Sequence, residues 1–173
     1  MAFDPVIGSR FGFTAEDLEA NRDGRLTDEQ NRLLDATVTA YDRGARRSGR
    51  LVAVVFTLAI VLTAIAIAAT PGGGLAAASI ATVILTGIFM IVMWAMARGQ
   101  RTRGAIRDRR LLTAEGVLNV RTSSAGTWYA HVGAARFGVE LAQSQALRED
   151  GRYAVHYLAL PDGAMPLSIE ARD

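Results

Sequence analysis

Residues 51–97 contain no Asp, Glu, Lys, Arg or His. In a chain of 173 residues this stretch limits the possible folds more than any other feature. Its apolar surface must be removed from water somewhere. It holds two runs, LVAVVFTLAIVLTAIAIAA at 51–69 and LAAASIATVILTGIFMIVMWAMA at 75–97. At 1.5 Å per residue a helix over the first is about 29 Å long, close to the roughly 30 Å of a bilayer's hydrocarbon core. The second spans with some tilt. Burying both inside a soluble domain would need a much larger protein around them. A pair of strands fails as well, because an open sheet edge finds no partner in lipid.

Thr70-Pro71-Gly72-Gly73-Gly74 separates the runs. Proline stops the first helix and the glycines turn the chain. So short a connection suits only antiparallel neighbours. The expectation is a two-helix transmembrane hairpin. Ala64, Ala68, Ala77, Ala81 and Gly87 offer small surfaces for close helix approach.

Arginine sets the expected orientation. Arg43, Arg46, Arg47 and Arg50 precede the first run, and Arg98, Arg101, Arg103, Arg107, Arg109 and Arg110 follow the second. The turn is uncharged. The positive-inside rule then places both chain ends in the cytoplasm and the turn outside, as in a multi-pass protein of a bacterial inner membrane. All 19 basic residues are Arg, which reads as coding bias of a GC-rich bacterial genome. Arg46, Arg47, Arg50, Arg98, Arg101, Arg103 and Arg107 are expected to contact anionic lipid headgroups. Membrane lipids are therefore expected partners, with a second copy or a membrane protein, and nucleic acid is not. No signal peptide is expected, because about fifty mostly polar residues precede the first run.

Residues 1–50 read as a cytoplasmic helical segment, irregular over 1–12. Thr14 caps a short helix with Asp17 in the box position and Phe13 and Leu18 as a staple. A second start at Thr27, boxed by Gln30, leads an apolar stripe through Leu33, Leu34, Val38 and Tyr41. Residues 19–30 overlay a calcium-loop pattern imperfectly. Asn21, Asp23, Gly24 and Leu26 fit, but Glu19 replaces the leading Asp and Gln30 the bidentate Glu. A helical corner around Gly24 accounts for the segment without calcium.

Residues 98–114 are expected to extend the second membrane helix as a basic juxtamembrane segment. From 115 to 173 the pattern turns to strands at 116–121, 127–132, 135–140, 152–160 and 167–170, with a helical turn at 143–149. Five short strands suggest a small β-domain or partly open barrel. The fold class is thus membrane α plus β: a hairpin, N-terminal amphipathic helices and a small cytoplasmic β-domain.

Chemistry is sparse. There is no cysteine, and no nucleotide loop, zinc-protease helix or nucleophile–base spacing. Trp128, Tyr129, His131, Tyr153 and His156 are candidates for a ligand surface, against the alternative that they form the core. His131 and His156 could meet across strands, with Glu140 or Glu170 beside them, but no metal, cofactor or catalytic residue is assigned. The layout resembles a loose type of bacterial membrane protein with a hairpin and a cytoplasmic β-domain, and that resemblance implies no activity. The expected function is a membrane-anchored interaction or accessory protein. Alternatives are a subunit of a homo-oligomeric channel or transport assembly, with Thr57, Thr63, Thr82 and Thr86 as lining, and a lipid-headgroup enzyme.

Overall fold

The structure, a computed structural model, describes residues 3–69, 74–124 and 126–172. It divides into two compact units, Met1–Thr37 with Gly104–Asp173, and Val38–Arg103.

The first unit is built on an antiparallel sheet. Its strands are β1 (Leu111–Thr122), β2 (Trp128–Val132), β3 (Ala135–Val139), β4 (Arg152–Leu160) and β5 (Gly163–Arg172), in spatial order β3-β2-β1-β4-β5. Three strands joined by hairpins, with the fourth returning beside the first, make a Greek key. β1 serves two partners. Leu111–Val117 pairs with β4, and Leu118–Thr122 pairs with β2. The sheet curls where β1 changes partner. There a Cβ on Gly133 would lie 2.6 Å from the Glu115 carbonyl oxygen, and φ at Gly133 is +54°. At the far side β3 and β5 come together, since a Cβ on Gly163 would lie 2.6 Å from the carbonyl oxygen of Arg136. The result is a partly open five-stranded barrel.

Alternation fills it. Ala114 and Leu118 of β1, Ala130 and Val132 of β2, Ala135, Phe137 and Val139 of β3, Tyr153, Val155 and Tyr157 of β4 and Ile169 of β5 form one core. Ile7 and Leu18 of two N-terminal helices, and Phe13 from the turn between them, belong to the same core. These helices are α1 (Pro5–Phe11) and α2 (Ala15–Arg22). The Phe11 ring meets the inward Phe137 edge-on, with centroids 6.4 Å apart. Gln143, on the short α5 (Leu141–Ser144), donates to the Arg10 carbonyl at 3.2 Å. The β-domain is therefore completed by the chain's own first residues.

α1 corrects the expectation of an irregular start. Asp4 accepts from the backbone N–H groups of Val6 and Ile7, Pro5 opens the helix and Gly12 closes it in the left-handed region. α2 begins as expected, with the Thr14–Asp17 box made in both directions. Thr27 and Gln30 likewise exchange bonds of 3.2 and 3.3 Å at the start of α3 (Asp28–Ala69). The apolar stripe of α3 is narrower than expected. Leu34 and Val38 are buried, but Leu33 and Tyr41 are exposed.

The expected helix over 98–114 is corrected as well. α4 (Gly74–Asp108) ends early, Arg109 turns left-handed at φ 48°, and Leu111 already belongs to β1. Leu112 and Ala114 face the barrel core on alternate positions, and that burial outweighs helix continuation.

The second unit contains α3 from Val38 to its end and most of α4. Phe56 packs against Phe89 with ring centroids 5.8 Å apart, and Arg103 donates to Asp42 at 2.5 Å. Positions rise along α3 as they fall along α4, as in antiparallel neighbours. Among the described residues one helical segment, Asp28–Ile65, is long and apolar enough to cross a membrane. Its most apolar 18-residue window has mean hydropathy 2.1, and none of it is buried. Of the expected turn at Thr70–Gly74, Gly74 opens α4 and residues 70–73 lie outside the described residues, as do the side chains of Ala77 and Ala81.

Candidate functional site

The outer faces of β1, β2 and β3 gather the chain's exposed polar chemistry. Strand alternation sends Asn119 and Arg121 outward from β1, Tyr129 and His131 from β2, and Arg136 and Gly138 from β3. Register sets them in two rows. His131 lies directly between Asn119 and Arg136, and Tyr129 between Arg121 and Gly138. The Arg136 guanidinium sits 4.4 Å from the centroid of the Tyr129 ring, a cation–π contact. Arg121 Nε donates to Asn119 Oδ1 at 3.2 Å, which steadies its fork. A Cβ on Gly138 would meet nothing within 4 Å, so space is open beside Tyr129. Trp128, at the start of β2, is 38% exposed.

No carboxylate pairs with Arg121 or Arg136 among the described residues. Partial burial holds His131 below the ordinary histidine value, and the positive charges of Arg136 and Arg121 add to the effect. The two arginines therefore give this face a positive potential, since Glu115, further along the outward row of β1, pairs with Arg172.

A second polar group lies on the other side of the barrel, beneath α2. β4 is buried on both faces over Tyr153–Leu158. Its outward His156 faces Thr113 on one side and Ser168 on the other. Thr113 Oγ1 and His156 Nδ1 are 2.9 Å apart. Asn21 donates to Ser168 Oγ at 2.8 Å, and Gln30 to the Leu167 carbonyl at 3.3 Å. Arg22 forks onto Glu170, Nη2 to Oε1 at 2.6 Å and Nε to Oε2 at 3.1 Å. Burial pushes the Glu170 carboxyl up, but the Arg22 hydrogen bond and the charges of Arg22 and Arg172 outweigh it, and the net direction is down. His156 is lowered, chiefly by burial. Ser168 is fully buried and His156 nearly so, and no substrate reaches them. This seam docks α2 on β5.

The ligand-surface candidates therefore separate. Tyr153 and His156 are buried, and Tyr153 Oη accepts from the Arg148 N–H at 2.8 Å. Trp128, Tyr129 and His131 remain at the surface. His131 and His156 do not meet, because β1 runs between their strands. Glu140 instead starts α5 in a capping box with Gln143, and among the described residues no three acidic or histidine side chains converge on a metal position. The calcium-like segment folds as a helical corner, with Asn21 turned into the seam and Gly24 left-handed at φ +73°. Arg121 and Arg136 escaped notice in the sequence because only the strand register brings them to Tyr129 and His131.

Of the expected lipid contacts, Arg46, Arg47, Arg50, Arg98, Arg101 and Arg107 are exposed. Arg103 is half-buried against Asp42. The Arg98 guanidinium lies 5.0 Å from the centroid of the Trp94 ring, a cation–π contact. No family model, no curated protein and no solved structure matches this chain, so no activity is carried over from a relative.

Proposed function

We propose that this chain is a membrane-anchored interaction protein. Residues 51–69 and 75–97 cross a bilayer as a hairpin, and the barrel with its N-terminal helices is displayed at the cytoplasmic surface. The observation that carries the reading is the uncovered apolar surface of α3. Val54, Leu58, Ile60, Val61 and Ile65 each leave about half or more of their surface open. In water each would forgo roughly half of the 1.5–3 kcal/mol that full burial of such a side chain contributes. A helix apolar on all sides needs lipid or protein around it.

Parity supports a second crossing. Residues before Val38 and after Arg103 build one compact unit, so both lie on one side of any membrane. A chain that leaves that side through α3 must return, and α4 carries the only other apolar run. The flanking arginines favour the cytoplasm for that side.

The channel alternative gains little. Thr57 and Thr63 donate back to the carbonyls of Ala53 and Ala59 at 2.9 and 2.8 Å, which commits their hydroxyl protons. The lipid-enzyme alternative gains little as well, since among the described residues His131 beside Arg121 and Arg136 has no nucleophile or carboxylate in hydrogen-bond contact with it.

Alkaline carbonate extraction of membranes tests the anchor. The full chain is expected to stay in the pellet, and deletion of residues 51–97 to release it. A full chain that washes off quantitatively would sink the reading. Protease added to sealed, right-side-out vesicles is expected to spare both chain ends, and cleavage of either would reject the cytoplasmic orientation.

A further inference from the structure

The outer face of β1, β2 and β3 holds two guanidinium groups with no carboxylate partner among the described residues. They stand on adjacent rows, with a tyrosine, a histidine and an asparagine between and beside them. We propose that this face binds a small soluble phosphate ester, with Arg121 and Arg136 on the phosphate oxygens and Tyr129 with the open strand at Gly138 under the organic part. This goes beyond the anchoring role, for it names what the displayed domain recognises.

The chemistry is that of charge complementarity. Guanidinium forks match the oxygens of a phosphate in pairs and are only weakly hydrated, so they lose less on contact than an ammonium group. Arg121 on β1 and Arg136 on β3 flank β2 from either side, and an anion held over β2 between them would be attracted by both. Asn119 holds the Arg121 fork by its Nε and leaves the Nη groups for a ligand. Arg136 already covers one part of the Tyr129 ring. Gly138, directly across from Tyr129, leaves room on the neighbouring strand for a flat or apolar substituent.

His131 belongs to the same face and adds a built-in reporter. The charged groups facing it are Arg136 and Arg121. On β1 the outward row continues to Glu115, which pairs with Arg172 at 3.1 Å and is engaged away from the histidine. A bound phosphate dianion would offset both guanidinium charges and raise the His131 proton affinity.

The test follows the His131 ring resonances of the full chain in phosphatidylcholine nanodiscs as pH is varied. Inorganic phosphate and phenyl phosphate are added at constant ionic strength. Each is expected to raise the His131 titration midpoint by about half a unit or more, with phenyl phosphate binding the tighter. R121Q and R136Q, both at exposed positions, are each expected to weaken the response about tenfold, the loss of one charge-assisted pair. R152Q, also exposed, is expected to leave it unchanged and serves as the folding-matched control. No midpoint shift, an equal shift with chloride, or a shift retained in both variants would overturn the inference. A response to phosphatidylglycerol nanodiscs without one to phenyl phosphate would also overturn it, for the occupant would then be a lipid headgroup. The anchor and this inference fail separately. A chain that resists carbonate extraction but ignores phosphate loses only the second.

Discussion

At the scale of single residues, exposure decides which ion pairs matter. Arg22 and Arg25 both form short pairs, but Glu170 is 1% exposed while Asp23 is 57% exposed. Removing Arg22 leaves a buried carboxylate with only the more distant Arg172, 3.7 Å away. Arg22→Ala is therefore expected to cost about 2–3 kcal/mol, and Arg25→Ala less than about 0.5 kcal/mol. Thermal unfolding followed by near-ultraviolet dichroism of the barrel aromatics separates the two. A tie between them would mean that α2 is not held by the seam. The same seam predicts a pH dependence. His156 has a folded-state pKa below its unfolded value, so the unfolded chain takes up a proton first as pH falls. Stability is full above the ordinary histidine range near 6.5 and declines as pH drops below it. His156→Gln is expected to flatten part of that decline, with His131, lowered in the same direction, supplying the rest. An unchanged slope in His156→Gln would contradict the placement of His156. Glu170 adds a second loss at lower pH, below its unfolded value near 4.5, because its folded pKa is depressed.

At the scale of elements, the barrel depends on places where backbones nearly touch. Gly133 combines a left-handed φ with a carbonyl oxygen 2.6 Å from where a Cβ would sit. Gly133→Ala is expected to destabilise the domain by about 1–3 kcal/mol, and Gly138→Ala, with open space at its Cβ, by less than about 0.5 kcal/mol. Equal melting temperatures for the two would show that the β1–β2 crossing is looser than described. The same elements divide what the sequence reveals from what it hides. Alternation in Ala135-Arg136-Phe137-Gly138-Val139 and the Pro161-Asp162 turn mark strands without any structure. Leu111 to Ala114 do not read as a strand because Asp108-Arg109-Arg110 holds no proline or glycine to end the preceding helix, and only the pairing with Tyr157 and Val155 makes those residues a strand. α1 is hard to read in the sequence although Asp4, Pro5 and Gly12 carry its start and stop signals. With seven residues it has too little periodicity to stand out, and its burial against Phe137 is a tertiary fact. The candidate face was half legible. Tyr129 and His131 drew attention as aromatic and titratable residues, but Arg121 and Arg136 joined them through register, which no local pattern encodes.

At the scale of the whole molecule, the barrel unit is assembled from both ends of the sequence. Asn21, Arg22 and Gln30 find their partners at Ser168, Glu170 and Leu167. The Arg22 and Glu170 partners are 148 positions apart, and the apolar runs lie between them. A chain ending at residue 160 is expected to leave α2 undocked even though β1 to β4 remain. Limited proteolysis read at Arg22 and Arg25 would detect this, and protection equal to that of the full chain would contradict it. The order of synthesis turns this arrangement into a matter of timing. At roughly 5–20 residues per second the ribosome delivers residue 170 about 7–30 s after residue 22. Throughout that interval α2 exists without the strand that holds it, while both apolar runs emerge. α2 is thus locked only after β5 has been made, and a translational stall within β5 would leave both apolar runs complete beside an unfinished barrel unit.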